Sequence, residues 1–514
     1  SLAGNPGGVL ITGLVDGGAA SGNLPVSMAM GDLNGDSLAD LAIGDPNSNK
    51  VYVVYGSSTL AGTTIDVNTL ASTGAGYVVE APADATANST SGASFGYSVA
   101  IGNFNSPASD GAYPTGTKYD LVIGAPNVNG GSGAVYVAYD GQPNAISVYT
   151  SNNPREAAGY SVAVSSVSPD STTFTNNQLS DDLIIGANGY QGSVTNQWSG
   201  LSELPSNTNS NPDGPPAFPA SSTVALGAVY VYQSKGTASP FNDSAYSTYI
   251  GPNAITNNGT GDDVNAGSAL VSVDLDGNAV NDLAIAAPGG ASNNGSVFVL
   301  SGGVAANSAA QSLGDAANLQ INGGIAFGQL GSVVTAPGDL NDDEIDDLLL
   351  TTSQAANSTG QGYLIFGDDT ILNGSGNKLD LSATATANKS TFLLNGDQPY
   401  QMVGAAAAGV GDVNGDNIDD LMISAPNAKQ LYTVYGHQWL ADDGSIKLSD
   451  ISSDNGFVTD GDLFSNNAVN YNAIFKIPNQ WINTAPCLIS NGNTLYLAYT
   501  GVSDNYIYLT TSGN

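Results

Sequence analysis

The sequence is poor in the residues that carry much of enzyme chemistry and most covalent cross-links. Its 514 residues include one cysteine, Cys487, and one histidine, His437. A lone cysteine excludes an intrachain disulfide, so stability must come from packing and from any bound ions. These two counts also exclude most zinc-hydrolase sites and most Ser–His or Cys–His catalytic arrangements.

Basic residues and long apolar runs are scarce as well. The chain has 9 Lys and Arg against 45 Asp and Glu, a formal net charge of −36. Nucleic acid and anionic membranes need a basic surface, so we expect neither as a partner. No apolar run reaches the roughly 20 residues that span a bilayer, which argues against direct membrane insertion. The 65 glycines and 23 prolines instead indicate many short strands joined by turns.

The sequence does contain a repeated acidic motif of nine residues. Positions 1, 3, 5 and 9 carry oxygen-bearing side chains, and position 7 can offer its backbone carbonyl. The four copies are Asp32, Asn34, Asp36, Leu38 and Asp40; Asp274, Asp276, Asn278, Val280 and Asp282; Asp339, Asn341, Asp343, Ile345 and Asp347; and Asp412, Asn414, Asp416, Ile418 and Asp420. A loop with this spacing can curl around a hard cation at about 2.3–2.6 Å.

Each copy runs directly into an apolar segment that ends in a turn, such as LMISAP after Asp420. In an EF-hand the twelfth position is a bidentate glutamate and the loop leads into a helix. Here the twelfth position is apolar in every copy: Ile43, Ile285, Leu350 and Ile423. We therefore predict that the loop joins two strands. Asp120 and Asp182 begin similar strands without the loop spacing, and whether those two loops bind an ion stays open.

The alternative for the four loops is a solvated turn, because Asp, Asn and Gly favour turns without any metal. Several carboxylates within nine residues repel one another, however, unless a cation lies between them. Oxygen-only ligands favour Ca²⁺ over Zn²⁺, and Mg²⁺ requires stricter octahedral geometry. The motif therefore predicts about four bound Ca²⁺ ions.

The pattern resembles the FG-GAP repeat of the integrin α-subunit β-propeller. Phe95-Gly96 and Phe327-Gly328 supply the first half of the repeat, and Gly124-Ala125-Pro126 matches the second half. The resemblance extends over roughly 25–440. It implies an all-β fold: a seven-bladed β-propeller of four-stranded antiparallel blades, with Ca²⁺ loops between the first and second strands of several blades.

These features predict a single propeller over 1–514. Residues 1–24 contain a strand expected to close the ring, 25–460 form six FG-GAP-type blades, and 461–514 form a divergent last blade. Within that last part, 484–512 resembles a repeat of sialidase-type or lectin-type propellers. The alternative is that 461–514 begins a second domain.

The resemblance implies an extracellular, calcium-binding module for adhesion, recognition or surface assembly, with a protein partner or another copy of the chain. A carbohydrate-binding lectin is the alternative, and a polysaccharide-degrading enzyme is less favoured because the motif already accounts for the acidic clusters. We therefore predict that the chain is not an enzyme. The long insertion at 189–224 is expected to project from the face opposite the calcium loops and to carry a binding surface.

Overall fold

The computed structural model describes residues 9–14, 26–60, 63–86, 92–104, 117–151, 153, 155–167, 181–193, 223–232, 246–252, 264–302, 310–354, 358–374, 376–381, 390–438, 440, 444–460, 487–491, 494–500 and 507–511. The secondary structure of these ranges is predominantly β. Their helices have three or four residues each, and none of the helices in these ranges has the length and hydropathy needed to cross a bilayer.

The first seventeen strands are β1 (Val9–Thr12), β2 (Ser27–Gly31), β3 (Asp40–Asp45), β4 (Lys50–Val54), β5 (Thr64–Asp66), β6 (Gly76–Glu80), β7 (Ser98–Gly102), β8 (Asp120–Ala125), β9 (Ala134–Ala138), β10 (Ile146–Thr150), β11 (Ala158–Ser165), β12 (Asp182–Ala187), β13 (Gln191–Ser193), β14 (Thr223–Ala225), β15 (Ala228–Tyr232), β16 (Tyr246–Ile250) and β17 (Leu270–Val273).

The remaining strands are β18 (Asp282–Ala287), β19 (Ser296–Leu300), β20 (Gln311–Ser312), β21 (Leu319–Asn322), β22 (Val334–Gly338), β23 (Asp347–Thr351), β24 (Gln361–Ile365), β25 (Asn377–Asp380), β26 (Thr391–Asn395), β27 (Ala407–Gly411), β28 (Asp420–Ala425), β29 (Gln430–Val434), β30 (Ser445–Lys447), β31 (Gly456–Asp460), β32 (Cys487–Asn491), β33 (Thr494–Thr500) and β34 (Ile507–Thr511). The α-helical turns are Leu70–Thr73, Ala83–Thr86, Val128–Gly131, Gly290–Asn293 and Leu313–Ala316, and the 3₁₀ turns are Val67–Thr69, Tyr139–Gly141, Pro426–Ala428 and Leu448–Asp450.

Most of these strands form seven sheets built on one plan. Their orders are β2-β3-β4-β6, β7-β8-β9-β10, β11-β12-β15-β16-β20, β17-β18-β19-β21-β25, β22-β23-β24-β26-β30, β27-β28-β29-β31 and β32-β33-β34-β1-β5. In every sheet the first four strands pair antiparallel. The four acidic motifs each join a first strand to a second strand, as predicted.

Four sheets have a fifth strand, where the sequence predicts four. The added strands β5, β20, β25 and β30 each pair parallel with the outermost strand of a sheet. Each comes from the segment between the third and fourth strands of the sheet that follows. These strands therefore connect neighbouring sheets at their outer edges.

The sheets also contact one another through their first strands. Each first strand contacts the first strand of the next sheet, in the order β2, β7, β11, β17, β22, β27 and β32, and β32 in turn contacts β2. In the last sheet β1 pairs antiparallel with β34, with Val9 opposite Leu509. Strands near the two ends of the chain thus share one sheet.

The second strand of each of the first six sheets lies in the core. Every residue of β3, β8, β12, β18, β23 and β28 is buried. Their sequences are continuous apolar runs such as DLVIGA, which is typical of strands covered on both faces. Their opening aspartates are buried as well, which places the last residue of each acidic motif inside the fold.

Neighbouring sheets approach closely where a glycine near the end of one second strand meets a glycine at the start of the next sheet. A Cβ atom added to Gly124 would lie 2.1 Å from the carbonyl oxygen of Gly159 in the next sheet. A Cβ atom added to Gly44 would likewise lie 2.1 Å from the carbonyl oxygen of Gly96. The hydroxyl of Ser98 donates to the Gly159 carbonyl at 2.9 Å, which fixes this contact. A side chain at position 124 therefore has no room.

One half-motif lies elsewhere than predicted. Phe95 is fully buried, and the Gly96 N–H donates to the Gly124 carbonyl at 3.1 Å. The corresponding bond in a later sheet runs from Gly331 to Thr351, so Leu330-Gly331 is the equivalent of Phe95-Gly96. The prediction that Phe327-Gly328 supplies this half is wrong. The ring of Phe327 is 72% exposed, because it precedes the inter-sheet contact by three residues.

We expect Gly124→Ala to lower the free energy of unfolding by about 1–3 kcal/mol, since the added methyl group forces the two backbones apart. Gly314→Ala is the matched control, because its nearest neighbouring atom would be 3.3 Å away on the Pro252 ring. Both changes affect the unfolded chain equally. Chemical denaturation measures the difference, and equal stability of the two variants would contradict the proposed contact.

Candidate metal-binding loops

The four acidic loops share one backbone conformation. Position 4 has positive φ in each: Gly35 (84°), Gly277 (67°), Asp342 (61°) and Gly415 (85°). Position 6 also has positive φ although it is never glycine: Ser37 (69°), Ala279 (64°), Glu344 (69°) and Asn417 (69°). Non-glycine residues adopt this region at a cost, so contacts within each loop must hold it.

The first aspartate of each loop provides such contacts. In the loop at 412–420, Asp412 accepts the backbone N–H groups of Asp416 at 3.1 Å and Asn417 at 2.8 Å. The first aspartates of the other three loops accept the same two N–H groups, at 2.7–3.2 Å. The chain therefore winds around this carboxylate.

The third and fifth positions are oriented towards each other. The Asn34 amide donates to Asp36 at 3.0 Å, and the equivalent pairs Asn341–Asp343 and Asn414–Asp416 lie at 2.8 and 3.0 Å. The side chain at position 5 also accepts the N–H of position 7, at 2.7–3.0 Å in all four loops. The oxygen-bearing side chains thus converge on the inside of the loop.

The closing aspartate has a structural role that the sequence analysis missed. One oxygen of Asp282 accepts the Leu275 N–H at 2.9 Å, and the other accepts the Gly302 N–H at 2.7 Å. Asp40, Asp347 and Asp420 make the equivalent pairs of bonds. Asp120 does the same without the loop spacing, accepting from Phe104 and Asp140 at 2.9 and 2.8 Å. This residue therefore organises the sheet whether or not an ion binds.

Burial makes these closing carboxylates unusually basic. It raises the pKa of Asp40 and Asp420 to about 6, and that of Asp282 and Asp120 to about 7. Burial also raises the pKa of Asp347 well above its usual range. The backbone hydrogen bonds only partly offset the desolvation of the charge. A cation in the loop would offset the remainder.

Two of the four loops have a feature that suits a hard cation. Carboxylate oxygens of Asp274, Asp276 and Asp282 lie within 4.8 Å of one another, the one such group of acidic, histidine or cysteine side chains in the described part of the chain. In another loop, the side-chain oxygen of Asn341 is buried and has no hydrogen-bond partner. Because such an oxygen is costly to leave unsatisfied, it suits a metal ligand. The donors are all oxygen, as Ca²⁺ prefers.

Neighbouring loops also contact one another. Asp419, next to the closing aspartate of one loop, accepts the backbone N–H of Asp339, the first residue of the preceding loop. Gln438 donates to Asp342 at 2.7 Å, and the backbone N–H of His437 donates to Leu340 at 2.7 Å. A change in one loop can therefore reach the next through direct contacts.

The insertion at 189–224 leaves the sheet at the end away from the acidic loops, because it joins a second strand to a third. Its base is the antiparallel pair β13–β14, with Gln191 opposite Ala225. Residues 194–222 lie outside the described residues, and with them the predicted binding surface. That surface stays a prediction, as does the likeness of 484–512 to sialidase-type or lectin-type repeats.

Comparison with known families finds the FG-GAP repeat three times. The family model matches residues 24–58, 266–300 and 404–437, which hold three of the four acidic loops. This confirms the FG-GAP resemblance predicted from the sequence. No curated protein matches the chain.

Similar solved structures are found at low identity. One is the α-L-arabinofuranosidase Arb93A from Fusarium graminearum in complex with an iminosugar inhibitor, with 9% identity, a TM-score of 0.33, and coverage of 76% of this chain and 89% of that one. A mutant form of the same enzyme gives a TM-score of 0.34 at the same identity and coverage. The α-L-arabinanase of Penicillium chrysogenum with arabinobiose has 11% identity, a TM-score of 0.30, and coverage of 80% and 97%.

These structures correct one prediction. The sequence analysis excludes enzymatic activity, whereas the similar solved structures are an arabinofuranosidase and an arabinanase. The exclusion is therefore wrong as it stands. Identities of 9–11% with TM-scores of 0.30–0.34 do not establish an activity for this chain either.

Proposed function

We propose that this chain, which carries FG-GAP repeats, is a seven-bladed β-propeller that binds Ca²⁺ in four loops and acts as an extracellular recognition or assembly module. Support for the ring comes from the cyclic order of contacts between the first strands of the seven sheets. The antiparallel pairing of β1 with β34 supports closure of that ring.

The carboxylate group of Asp274, Asp276 and Asp282 is the observation that carries the metal proposal. The proposed ligands are the residues at positions 1, 3, 5 and 9 of each loop and the carbonyl at position 7, namely those of 32–40, 274–282, 339–347 and 412–420. Bound Ca²⁺ supplies positive charge that stabilises the folded loops. The hydrogen bonds within each loop hold positions 4 and 6 in the left-handed conformation.

The proposed extracellular role rests on charge and on the exposure of the loops. Positions 5 and 6 of the loop at 412–420, Asp416 and Asn417, are exposed to solvent. Exposed sites on extracellular modules bind calcium with dissociation constants of about 10⁻⁴–10⁻³ M, which suits the calcium level outside cells. A net charge of −36 keeps such a chain soluble and disfavours acidic partners. The proposed partner is a protein or an uncharged ligand, or a second copy of the chain where bound Ca²⁺ screens the repulsion between the two acidic surfaces.

Calcium titration at two pH values tests this proposal. At pH 8 we expect about four ions per chain, and at pH 5 an affinity about tenfold weaker or more, because protons then occupy the closing aspartates. The pKa of these groups is raised in the folded state, to about 6 for Asp40 and about 7 for Asp282. The folded calcium-free protein thus holds these protons more tightly than the unfolded chain does, and the stability that this contributes is lost as the pH rises through about 6–7.

Isothermal titration calorimetry measures both quantities, and melting in chelator provides the control. The calcium-free protein is expected to melt at a higher temperature at pH 5 than at pH 8. No binding at pH 8, or the same affinity at both pH values, would contradict the proposed sites.

A further inference from the structure

Two aromatic rings stand out from the surface at equivalent places in neighbouring loops. Phe327 is 72% exposed and Tyr400 is 67% exposed. Each lies three residues before the residue that bridges to the preceding sheet, Leu330 to Gly295 and Val403 to Gly360. The two rings are therefore related by the repeat of the fold.

Stability gives no reason for aromatic residues at these places. Phe327 and Tyr400 both have left-handed backbones, with φ of 58° and 67°. Arg155 occupies the same place in another loop with φ of 62°, so the loop imposes this conformation on different side chains. A bulky residue pays about 1–2 kcal/mol there, and an exposed ring recovers little of it by burial.

The loops that carry the rings are held firmly. The backbone N–H of Phe327 donates to the side chain of Asn294 at 3.3 Å, and Leu330 donates to the carbonyl of the same residue at 2.8 Å. In the second loop the buried side chain of Gln401 accepts the N–H groups of Asp397 and Gln398, at 2.9 and 3.0 Å. A ligand that stacks on these rings would order few backbone groups, which favours binding.

Both rings lie at the end of the sheets opposite the acidic loops. Their loops bond to the turns between second and third strands, through Asn294 and through the Met402–Ser358 bond of 2.8 Å. The other exposed large hydrophobic residues among the described ranges lie in the acidic loops or in outer strands: Leu38, Val280, Ile146, Phe457 and Val458. At this end of the sheets, Phe327 and Tyr400 are thus the exposed large hydrophobic residues in the described part of the chain.

This arrangement favours a saccharide ligand. The negative face of an aromatic ring attracts the C–H groups on the face of a sugar ring. Neighbouring amide and carboxylate groups can accept and donate hydrogen bonds to hydroxyls. The net charge of −36 disfavours an acidic polymer.

We propose that Phe327 and Tyr400 form a stacking surface for an uncharged glycan chain. This inference rests on the proposed recognition role and names its ligand class. The two places belong to successive repeats, and a polymer of repeating sugar units that reaches both rings gains affinity, because each ring increases the effective concentration for the other.

Affinity electrophoresis in native gels tests the inference on the full chain with calcium present. The gels contain hydroxyethyl cellulose, xyloglucan, galactomannan or dextran, with alginate as the acidic comparison. We expect at least one uncharged polymer to retard the protein, and Phe327→Ala with Tyr400→Ala to weaken that retardation at least tenfold. Phe327→Tyr and Tyr400→Phe should retain it, because the ring faces remain.

Ile146→Ala is the matched control, since this residue is 54% exposed but lies in β10, away from these loops. It should bind as the unchanged protein does. Retardation by none of the uncharged polymers, by alginate alone, or equally with and without the two rings would overturn the inference. Melting with and without calcium is recorded for every variant. If a variant loses glycan binding but still melts at a calcium-dependent temperature, the result concerns the rings alone and does not contradict the proposed metal sites.

Discussion

Removing calcium is expected to lower the melting temperature of this protein by about 10 °C at neutral pH. At a calcium concentration a hundredfold above the dissociation constant, about 10–100 mM for the affinities proposed here, each site adds about 2.7 kcal/mol to the stability of the folded state, and four independent sites add about 11 kcal/mol. The entropy of unfolding scales with length, at about 2.1 cal/mol/K per residue, so a chain of this size shifts by about 1 °C per kcal/mol. Differential scanning calorimetry with and without a chelator measures the shift.

Magnesium provides the control for this experiment. It prefers octahedral coordination at about 2.0–2.1 Å and gives up its water reluctantly, so it should restore little of the lost stability. Adding calcium back in excess should restore all of it. The same melting curve in calcium and in chelator would contradict the metal sites.

Asp282→Ala is expected to lower the free energy of unfolding by about 2–6 kcal/mol without calcium, and by about 2.7 kcal/mol more when calcium is bound. The first part arises because the buried N–H groups of Leu275 and Gly302 lose their acceptor. The second part arises because the loop at 274–282 loses a proposed ligand. Chemical denaturation in calcium and in chelator separates the two parts.

Asp120→Ala is the matched variant. Asp120 is buried like Asp282 and accepts two backbone N–H groups, from Phe104 and Asp140, but its loop lacks the ligand spacing. In chelator, Asp120→Ala should lower the free energy of unfolding about as much as Asp282→Ala does. Adding calcium should not increase that loss for Asp120→Ala. If calcium changes the two variants equally, the loop at 274–282 is not a calcium site.

The parts of the fold that depend on local sequence could be predicted. The spacing of oxygen-bearing residues from Asp412 to Asp420, followed by a continuous apolar run, indicates a loop between two strands, and the structure has that loop. The added strand β25 could not be predicted in this way. Its residues Asn377–Asp380 are mostly exposed and polar, and they pair with a neighbouring sheet rather than with their own. No local pattern specifies such a partner.

The position of the Phe-Gly half of the repeat was also predicted wrongly, because local sequence does not specify which backbone groups bond to each other. The letters Phe327-Gly328 match the motif, yet it is the N–H of Gly331 that makes the equivalent bond, to the Thr351 carbonyl. The structural role of the closing aspartate was missed because its acceptor bonds reach Gly302, twenty residues along the chain. Distances of this kind enter only with the fold.

The most direct measurement is an anomalous difference map from crystals grown with calcium, recorded at long wavelength. We expect four peaks, one in each of the loops at 32–40, 274–282, 339–347 and 412–420, with ligand oxygens at about 2.3–2.6 Å. The peak at 274–282 should contact Asp274, Asp276 and Asp282, whose carboxylates already lie together. Loops without peaks, in crystals soaked in calcium at about 10 mM or more, well above the proposed dissociation constants, would contradict a calcium-binding function for the repeats.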